Sequence, residues 1–119
     1  MSVAAEVRVL VVDDQAAFRR AAALLVRSAA GLTLVGEAAS GEEADVLTQS
    51  LEPDLVLMDV RLPGINGPEA ARRILAERPR TRIILMSTYE PADLPGDLDQ
   101  CGAERFLRKQ DIDAAALLS

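Results

Sequence analysis

The stretch RVLVVDD, residues 8–14, decides the fold of this chain of 119 residues. Its apolar run, Val9 to Val12, ends on two adjacent carboxylates, Asp13 and Asp14. A β-branched run without polar alternation is typical of a parallel strand that is covered on both faces. Two like charges at the end of such a strand repel each other, which indicates that a charged partner lies nearby.

Four further apolar runs predict the remaining strands of a sheet. They are LTLVG at 32–36, DLVLM at 54–58, RIILM at 82–86 and the weaker RFL at 105–107. Asp59 follows the third run directly, and Ser87 and Thr88 follow the fourth. Polar residues are therefore expected where several strands end.

Helical patterns fill the gaps between the strands. In residues 15–30, an apolar stripe with core-facing Phe18 recurs at helical spacing. The second helix opens at SGEE, where Ser40 and Glu43 have the spacing of a capping box, and the third opens at NGPEAARRIL, with Pro68 in its first turn. The ending DIDAAALLS predicts the first turns of a fifth helix that is truncated.

The fourth connection, EPADLPGDLDQCG, departs from this regularity. Pro95 and Gly96 fall where an uninterrupted helix would otherwise run, because proline and glycine disfavour helix interiors. We expect a short, broken or mobile helix there.

Strands that alternate with helices predict an α/β fold, a doubly wound five-stranded parallel sheet with helices on both faces. The flavodoxin-like strand order 2-1-3-4-5 would place the first and third strands side by side. Ligands of such sheets bind at the carboxyl ends of the strands, where the strand order reverses. The length fits a single domain over residues 1–119.

Composition excludes several classes of function. A net charge of −6 argues against nucleic-acid binding by this segment alone, and no apolar run is long enough to span a membrane. The one cysteine, Cys101, cannot form an internal disulfide, and the start MSVAAEV lacks the features of a signal peptide, so we expect a cytoplasmic protein. Without histidine, serine–histidine and cysteine–histidine catalysis are excluded.

Asp13, Asp14 and Asp59 are expected to converge on one crevice of this sheet. Their mutual repulsion favours a bound cation, and an all-oxygen ligand set of this kind suits Mg²⁺, which also coordinates phosphate oxygens. The hydroxyl of Ser87 and the ammonium of Lys109, the only lysine, can both bind a phosphoryl group at the same edge.

The motifs VVDDQ, VGEAASGEEA, PDLVLMDVRLPGINGPEA, LMST and GAERFLRK together resemble the receiver domain of bacterial two-component response regulators. The resemblance covers nearly the whole chain. Within the family, the stretch MDVRLPG is similar to the MDVRMPG of the LuxR/NarL-type subfamily. The resemblance implies a CheY-like fold, and a phosphoacceptor signalling domain that takes part in its own phosphoryl transfer and dephosphorylation rather than an enzyme.

The resemblance also implies how the acidic residues act. Asp59 would be the phosphoacceptor that attacks the phosphohistidine of a sensor histidine kinase. Asp14 and Asp59 would bind Mg²⁺ together with the backbone carbonyl of Arg61, and Asp13 would act mainly through water.

Three further positions match residues that move or bind in the family. Ser87 would be the switch hydroxyl, Phe106 the aromatic side chain whose rotamer reports the switch, and Lys109 the conserved lysine. Arg61 and Tyr89 occupy positions that tune how fast the phosphoryl group is hydrolysed, and their bulk predicts restricted access of water. Thr88 and the Pro95–Gly96 break depart from the family pattern, Thr88 beside the switch hydroxyl and the break in the element that carries the output face, so the resemblance is a weaker guide to switching there.

Other functions fit the sequence less well. A degenerate receiver, which docks partners without being phosphorylated, would lack one of the site residues. An aspartyl-phosphate phosphatase would need an acid where Arg61 stands, and DDQAAF lacks the hydroxyls and glycines of a flavin phosphate loop. The subfamily resemblance implies a C-terminal helix-turn-helix domain for binding DNA, which is absent from this chain, and leaves homodimerisation on phosphorylation open.

Overall fold

The structure is a computed structural model that describes residues 6–88 and 100–118. Its strands are β1 (Val7–Val12), β2 (Leu32–Ala38), β3 (Leu55–Asp59), β4 (Arg82–Ser87) and β5 (Arg105–Arg108). Its α-helices are α1 (Ala16–Ser28), α2 (Gly41–Leu51), α3 (Gly67–Glu77) and α4 (Ala114–Leu118), and a 3₁₀ turn (Lys109–Asp111) follows β5.

The five strands form one parallel sheet in the order β2-β1-β3-β4-β5, which confirms the predicted topology. β1 lies between β2 and β3, so the chain moves to one side of β1 first and then to the other. The strand order therefore reverses between β1 and β3, where this architecture places its ligands.

Two hydrophobic clusters cover the two faces of the sheet. On one face, alternate strand residues such as Leu10 and Met58 pack with α2 and α3. On the other, Val9 and Leu57 pack with α1 and with Leu117 of α4. Because successive residues of a strand point to opposite faces, burial on both faces accounts for the continuous apolar runs in the sequence.

Local capping explains where the helices begin. Ser40 accepts a hydrogen bond from the backbone N–H of Glu43 at 3.1 Å, which confirms the start of α2, and Asn66 caps α3 in the same way, with Pro68 in the first turn. α1 is shorter than predicted, because Gln15 and Ala29 have extended backbone conformations.

Other differences from the sequence-based expectations are small. Asp59 is the last residue of β3 rather than the residue after it, and β2, β4 and β5 extend one or two residues further than their apolar runs. The predicted break at Pro95 and Gly96 lies outside the described residues. Within the described ranges, no helix is both long and apolar enough to cross a membrane.

Candidate functional site

Four strands bring polar side chains to the carboxyl edge of the sheet. Asp13 follows β1, whose last residue Val12 pairs with Met58, so Asp13 lies beside Asp59. Ser87 ends β4, and Lys109 follows β5. The parallel register therefore gathers residues that are distant in sequence at one edge, as predicted.

A cleft of about 220 Å³ lies at this edge of the sheet. Its lining residues come from the ends of β1, β3 and β4 and from the turn after β5: Asp14, Gln15, Asp59, Arg61, Ser87, Thr88 and Lys109. Asp14, Arg61 and Thr88 are exposed at the rim, whereas Asp59, Ser87 and Lys109 are buried. The cleft thus combines an accessible opening with a buried charged floor.

Lys109 is the central cation of the cleft. Its Nζ lies 2.6 Å from Asp13 Oδ2 and 3.2 Å from Asp59 Oδ2. In the described part of the chain no donor is aligned for a hydrogen bond to Asp13 Oδ2, so the Asp13 contact is an ion pair. Since Asp13 is fully buried, this pairing is needed to offset the loss of hydration.

Two residues beside Lys109 were not identified as site residues from the sequence. Gln15 Oε1 lies 3.3 Å from Lys109 Nζ, and the ring of Phe18 lies 4.3 Å from the same atom, a cation–π distance. Phe18 packs against the core as expected, but the ring also faces the ammonium. Gln15 belongs to the DDQ motif and Phe18 to the apolar stripe of α1. Neither pattern indicates that these residues contact Lys109.

The backbone around the acids is also held in place. Asp13 Oδ1 accepts the backbone N–H of Gln15 at 2.8 Å, and Arg19 donates to the backbone carbonyl of Asp13 at 2.7 Å. The backbone N–H of Arg61 donates to Asp59 Oδ1 at 3.2 Å. The hydrogen bonds to Asp13 Oδ1 and Asp59 Oδ1 therefore orient the two carboxylates.

The environment of Asp59 disfavours its ionised form. Burial raises the pKa of the Asp59 carboxyl above its ordinary value, and the neighbouring Asp13 carboxylate raises the pKa further. The ammonium of Lys109 and the amide of Arg61 oppose this effect without cancelling it. Another positive charge at the site would stabilise the carboxylate.

The donor set fits a hard divalent cation. One carboxylate oxygen from each of Asp13, Asp14 and Asp59 lies within 4.8 Å of the other two. Lys109 pairs with two of these three carboxylates, those of Asp13 and Asp59, so the group keeps an excess of negative charge that a divalent ion would balance. Oxygen ligands with one accessible side match the preference of Mg²⁺, which keeps several waters.

The remaining predicted positions are placed differently. Phe106 lies in β5, partly buried against the hydrophobic cluster of α2 and α3, and does not line the cleft. Tyr89 lies outside the described residues. Five of the predicted site residues therefore line the cleft, Asp14, Asp59, Arg61, Ser87 and Lys109, whereas Asp13 is buried beside it and Phe106 belongs to the packed face of the sheet.

Comparison with known proteins agrees with this architecture. The family model described as the response regulator receiver domain matches residues 9–119. The response regulator GacA of Pseudomonas viridiflava is 40% identical over 103 residues, which are 87% of this chain and 48% of GacA. The chain thus spans about half the length of this relative.

Two solved structures have the same fold over nearly the whole chain. The signal receiver domain of NarL from Mycobacterium tuberculosis has a TM-score of 0.88 at 31% identity, covering 96% of this chain and 94% of that one. A chain of the CheX-CheY-BeF3-Mg+2 complex from Borrelia burgdorferi has a TM-score of 0.81 at 27% identity, covering 96% and 85%. The carboxyl edge of the sheet brings three aspartates and a lysine together. The chain therefore belongs to the response regulator receiver domain family of two-component systems.

Proposed function

We propose that this domain accepts a phosphoryl group on Asp59 from the phosphohistidine of a sensor histidine kinase. The observation that carries this proposal is the position of Asp59, with one carboxylate oxygen beside Lys109 and the other beside the amide of Arg61. The carboxylate opens onto a cleft of about 220 Å³, which is large enough for a phosphoryl group and is lined by the hydroxyl-bearing residues Ser87 and Thr88.

In the transfer, a carboxylate oxygen of Asp59 attacks the phosphorus atom. The P–N bond breaks, and its electron pair stays on the imidazole of the kinase. Lys109 would move from Asp13 toward the incoming phosphoryl oxygens, because these carry more charge than a carboxylate. Positioning and electrostatic stabilisation thus supply the catalysis, as in other phosphoryl transfers.

Mg²⁺ would be held by Asp14, by Asp59 and by the backbone carbonyl of Arg61, with Asp13 acting through water. When bound, it would neutralise charge that builds up on the transferred group. The cluster of carboxylate oxygens supports this assignment. Further support comes from the solved complex that contains BeF3 and Mg²⁺, although those ligands belong to that protein.

Ser87 and Phe106 would carry the signal away from the site. Ser87 is buried at the end of β4, and its neighbour in the sheet is Arg108 of β5. A hydroxyl that turns toward a new phosphoryl group would leave space behind it, and Phe106, one strand away and partly buried, could fill this space. A charge added at one site would thus bias packing on another face.

The output of the full protein is proposed from the subfamily resemblance. A C-terminal domain that binds DNA would control transcription, and phosphorylation would favour a homodimer. The coverage of about half of GacA agrees with a further domain in the relatives. The alternative, a degenerate receiver that docks partners without being phosphorylated, is not favoured. The acids, the hydroxyl and the lysine of the site are all present, and they lie together at one cleft.

Intact mass after incubation with phosphoramidate and Mg²⁺ would test the phosphoacceptor. We expect one phosphoryl adduct that EDTA prevents and that Asp59→Asn abolishes, while Asp45→Asn, in α2 away from the cleft, retains it. No adduct on folded protein would favour the docking module.

Hydrolysis of the adduct should be faster when Arg61 and Tyr89 are both replaced by alanine, because the bulk of these side chains is proposed to limit access of water. An unchanged rate of decay would contradict that role.

A further inference from the structure

The loop that joins β3 to α3, residues 60–66, is packed tightly at its base. Gly67 donates its backbone N–H to the carbonyl of Val60 at 2.8 Å. A Cβ atom on Gly67 would lie only 2.4 Å from the backbone oxygen of Asp59. The base of the loop therefore rests directly on the backbone of the proposed phosphoacceptor.

The tip of the same loop rests on α2, an element of another part of the chain. Glu42, in the first turn of α2, accepts the backbone N–H of Ile65 through Oε2 at 3.1 Å. Gly64, with φ of 73°, passes so close that a Cβ atom on it would lie 2.3 Å from the same oxygen. Beside it, a Cβ atom on Gly41 would lie 2.7 Å from Ile65 Cγ1, so a side chain at either glycine would require its neighbour to move.

Capping of α2 does not explain the contact made by Glu42, because other residues cap this helix. Ser40 caps the helix by accepting the N–H of Glu43, and the Glu43 carboxylate accepts the N–H of Ala39 at 2.6 Å. These bonds satisfy the helix start locally. Glu42 instead reaches a loop 23 residues further along the chain.

We propose that Glu42 is a positioning residue for the metal site. By holding the tip at Gly64 and Ile65, it keeps the peptide groups near Arg61 beside Asp59, where the Arg61 N–H already contacts Oδ1. This inference rests on the proposed function, in which the Arg61 carbonyl is a Mg²⁺ ligand. Partners that orient metal ligands commonly change metal affinity by about ten-fold or more when removed.

The test compares wild type with Glu42→Ala, Glu42→Gln and Glu43→Ala. Mg²⁺ is titrated into the full chain, and binding is monitored by NMR and by calorimetry. Glu43→Ala is the matched control, since it removes the same charge and one backbone hydrogen bond from the same helical turn without touching the loop. Glu42→Gln keeps an acceptor oxygen but removes the charge.

We expect Glu42→Ala to weaken Mg²⁺ binding by about ten-fold. The glutamine variant and Glu43→Ala should stay within roughly three-fold of wild type, because the hydrogen bond that holds the loop, and not the charge of the side chain, positions the Arg61 carbonyl. In EDTA, the amides of Arg61 and Ile65 should exchange faster only in Glu42→Ala. Equal losses in both Glu42 variants, or in Glu42→Ala and Glu43→Ala, would overturn the inference.

The wild-type titration separates this inference from the proposed function. A wild-type chain that binds no Mg²⁺ would contradict the proposed function and remove the basis of the positioning role. Wild-type binding with an unchanged affinity in Glu42→Ala would contradict only the positioning role of Glu42.

Discussion

At the scale of single residues, the site is an arrangement of opposed charges. Lys109 is shared between Asp13 and Asp59, and the ring of Phe18 and the amide of Gln15 hold the same ammonium. Burial makes each of these contacts stronger than it would be at the surface, and also makes each unpaired charge more costly. Burial of the Asp59 carboxylate beside Asp13 is part of this cost, which a bound cation would reduce.

Asp59→Asn should stabilise the metal-free domain, and the gain should depend on pH. The folded state raises the pKa of Asp59, so the unfolded chain loses this proton first as pH rises from the ordinary aspartate value. Wild-type stability therefore falls as pH rises toward the folded pKa, and levels off above it. The asparagine side chain stays neutral throughout, so its advantage grows over the same interval.

Urea unfolding in EDTA between roughly pH 4 and pH 7 would measure this difference. At the upper end we expect a gain on the order of 1 kcal/mol, the usual scale of single substitutions, and no gain at the acidic end. Asp111→Asn, which replaces an exposed aspartate after β5, is the control and should show no such trend. A constant difference, or a loss at neutral pH, would contradict the prediction.

At the scale of elements, the connection from β3 to α3 does two tasks. It starts α3 through the cap made by Asn66, and it carries the backbone of Arg61 past the carboxylate of Asp59. Its glycine at the helix start is buried because the backbone of Asp59 lies against it. The same residues thus affect the stability of α3 and the geometry of the site.

Gly67→Ala should be more damaging than the loss of a helix cap. Its Cβ atom would meet the backbone oxygen of Asp59, which cannot move without disturbing the site, so we expect a loss of about 1–3 kcal/mol in stability and a slower phosphorylation. Ser40→Ala, which removes the cap of α2, should cost about 1 kcal/mol and leave phosphorylation near wild type.

Urea unfolding would measure the stability of Gly67→Ala and Ser40→Ala, and the rate of adduct formation from phosphoramidate would measure their phosphorylation. If Gly67→Ala phosphorylates at the wild-type rate while the domain stays folded, the contact with Asp59 has no role in positioning the acceptor.

At the scale of the whole molecule, the site depends on the complete sheet. Asp13, Asp59 and Lys109 come from three strands, and they meet only when those strands are in register. Metal binding should therefore stabilise the cooperative folded state rather than one local segment.

Mg²⁺ at about 100 times its dissociation constant should stabilise the domain by about 2.7 kcal/mol. At the same concentration, Asp14→Asn should gain much less, because it loses the exposed carboxylate proposed to bind the ion directly. Thermal and urea unfolding with MgCl₂, and with NaCl matched in ionic strength, would separate specific binding from screening. Equal stabilisation of wild type and variant would contradict the assignment of Asp14.

Much of this molecule could be predicted from its sequence. The apolar runs without alternation indicate strands buried on both faces, and Ser40 and Pro68 mark where helices begin, because burial and capping are local properties. The position of acids and the lysine at strand ends was sufficient to predict that they meet, since a parallel sheet gathers strand ends at one edge.

Other features were decided only by the tertiary structure. The contacts of Gln15 and Phe18 with Lys109, and of Glu42 with the loop after β3, depend on how helices lie against the sheet. Helical periodicity gives the face of a side chain but not the residue that it meets across an interface. The sequence thus determined the strand order and which acids meet Lys109 at the edge of the sheet, whereas packing between elements decided which neighbours hold those residues in place.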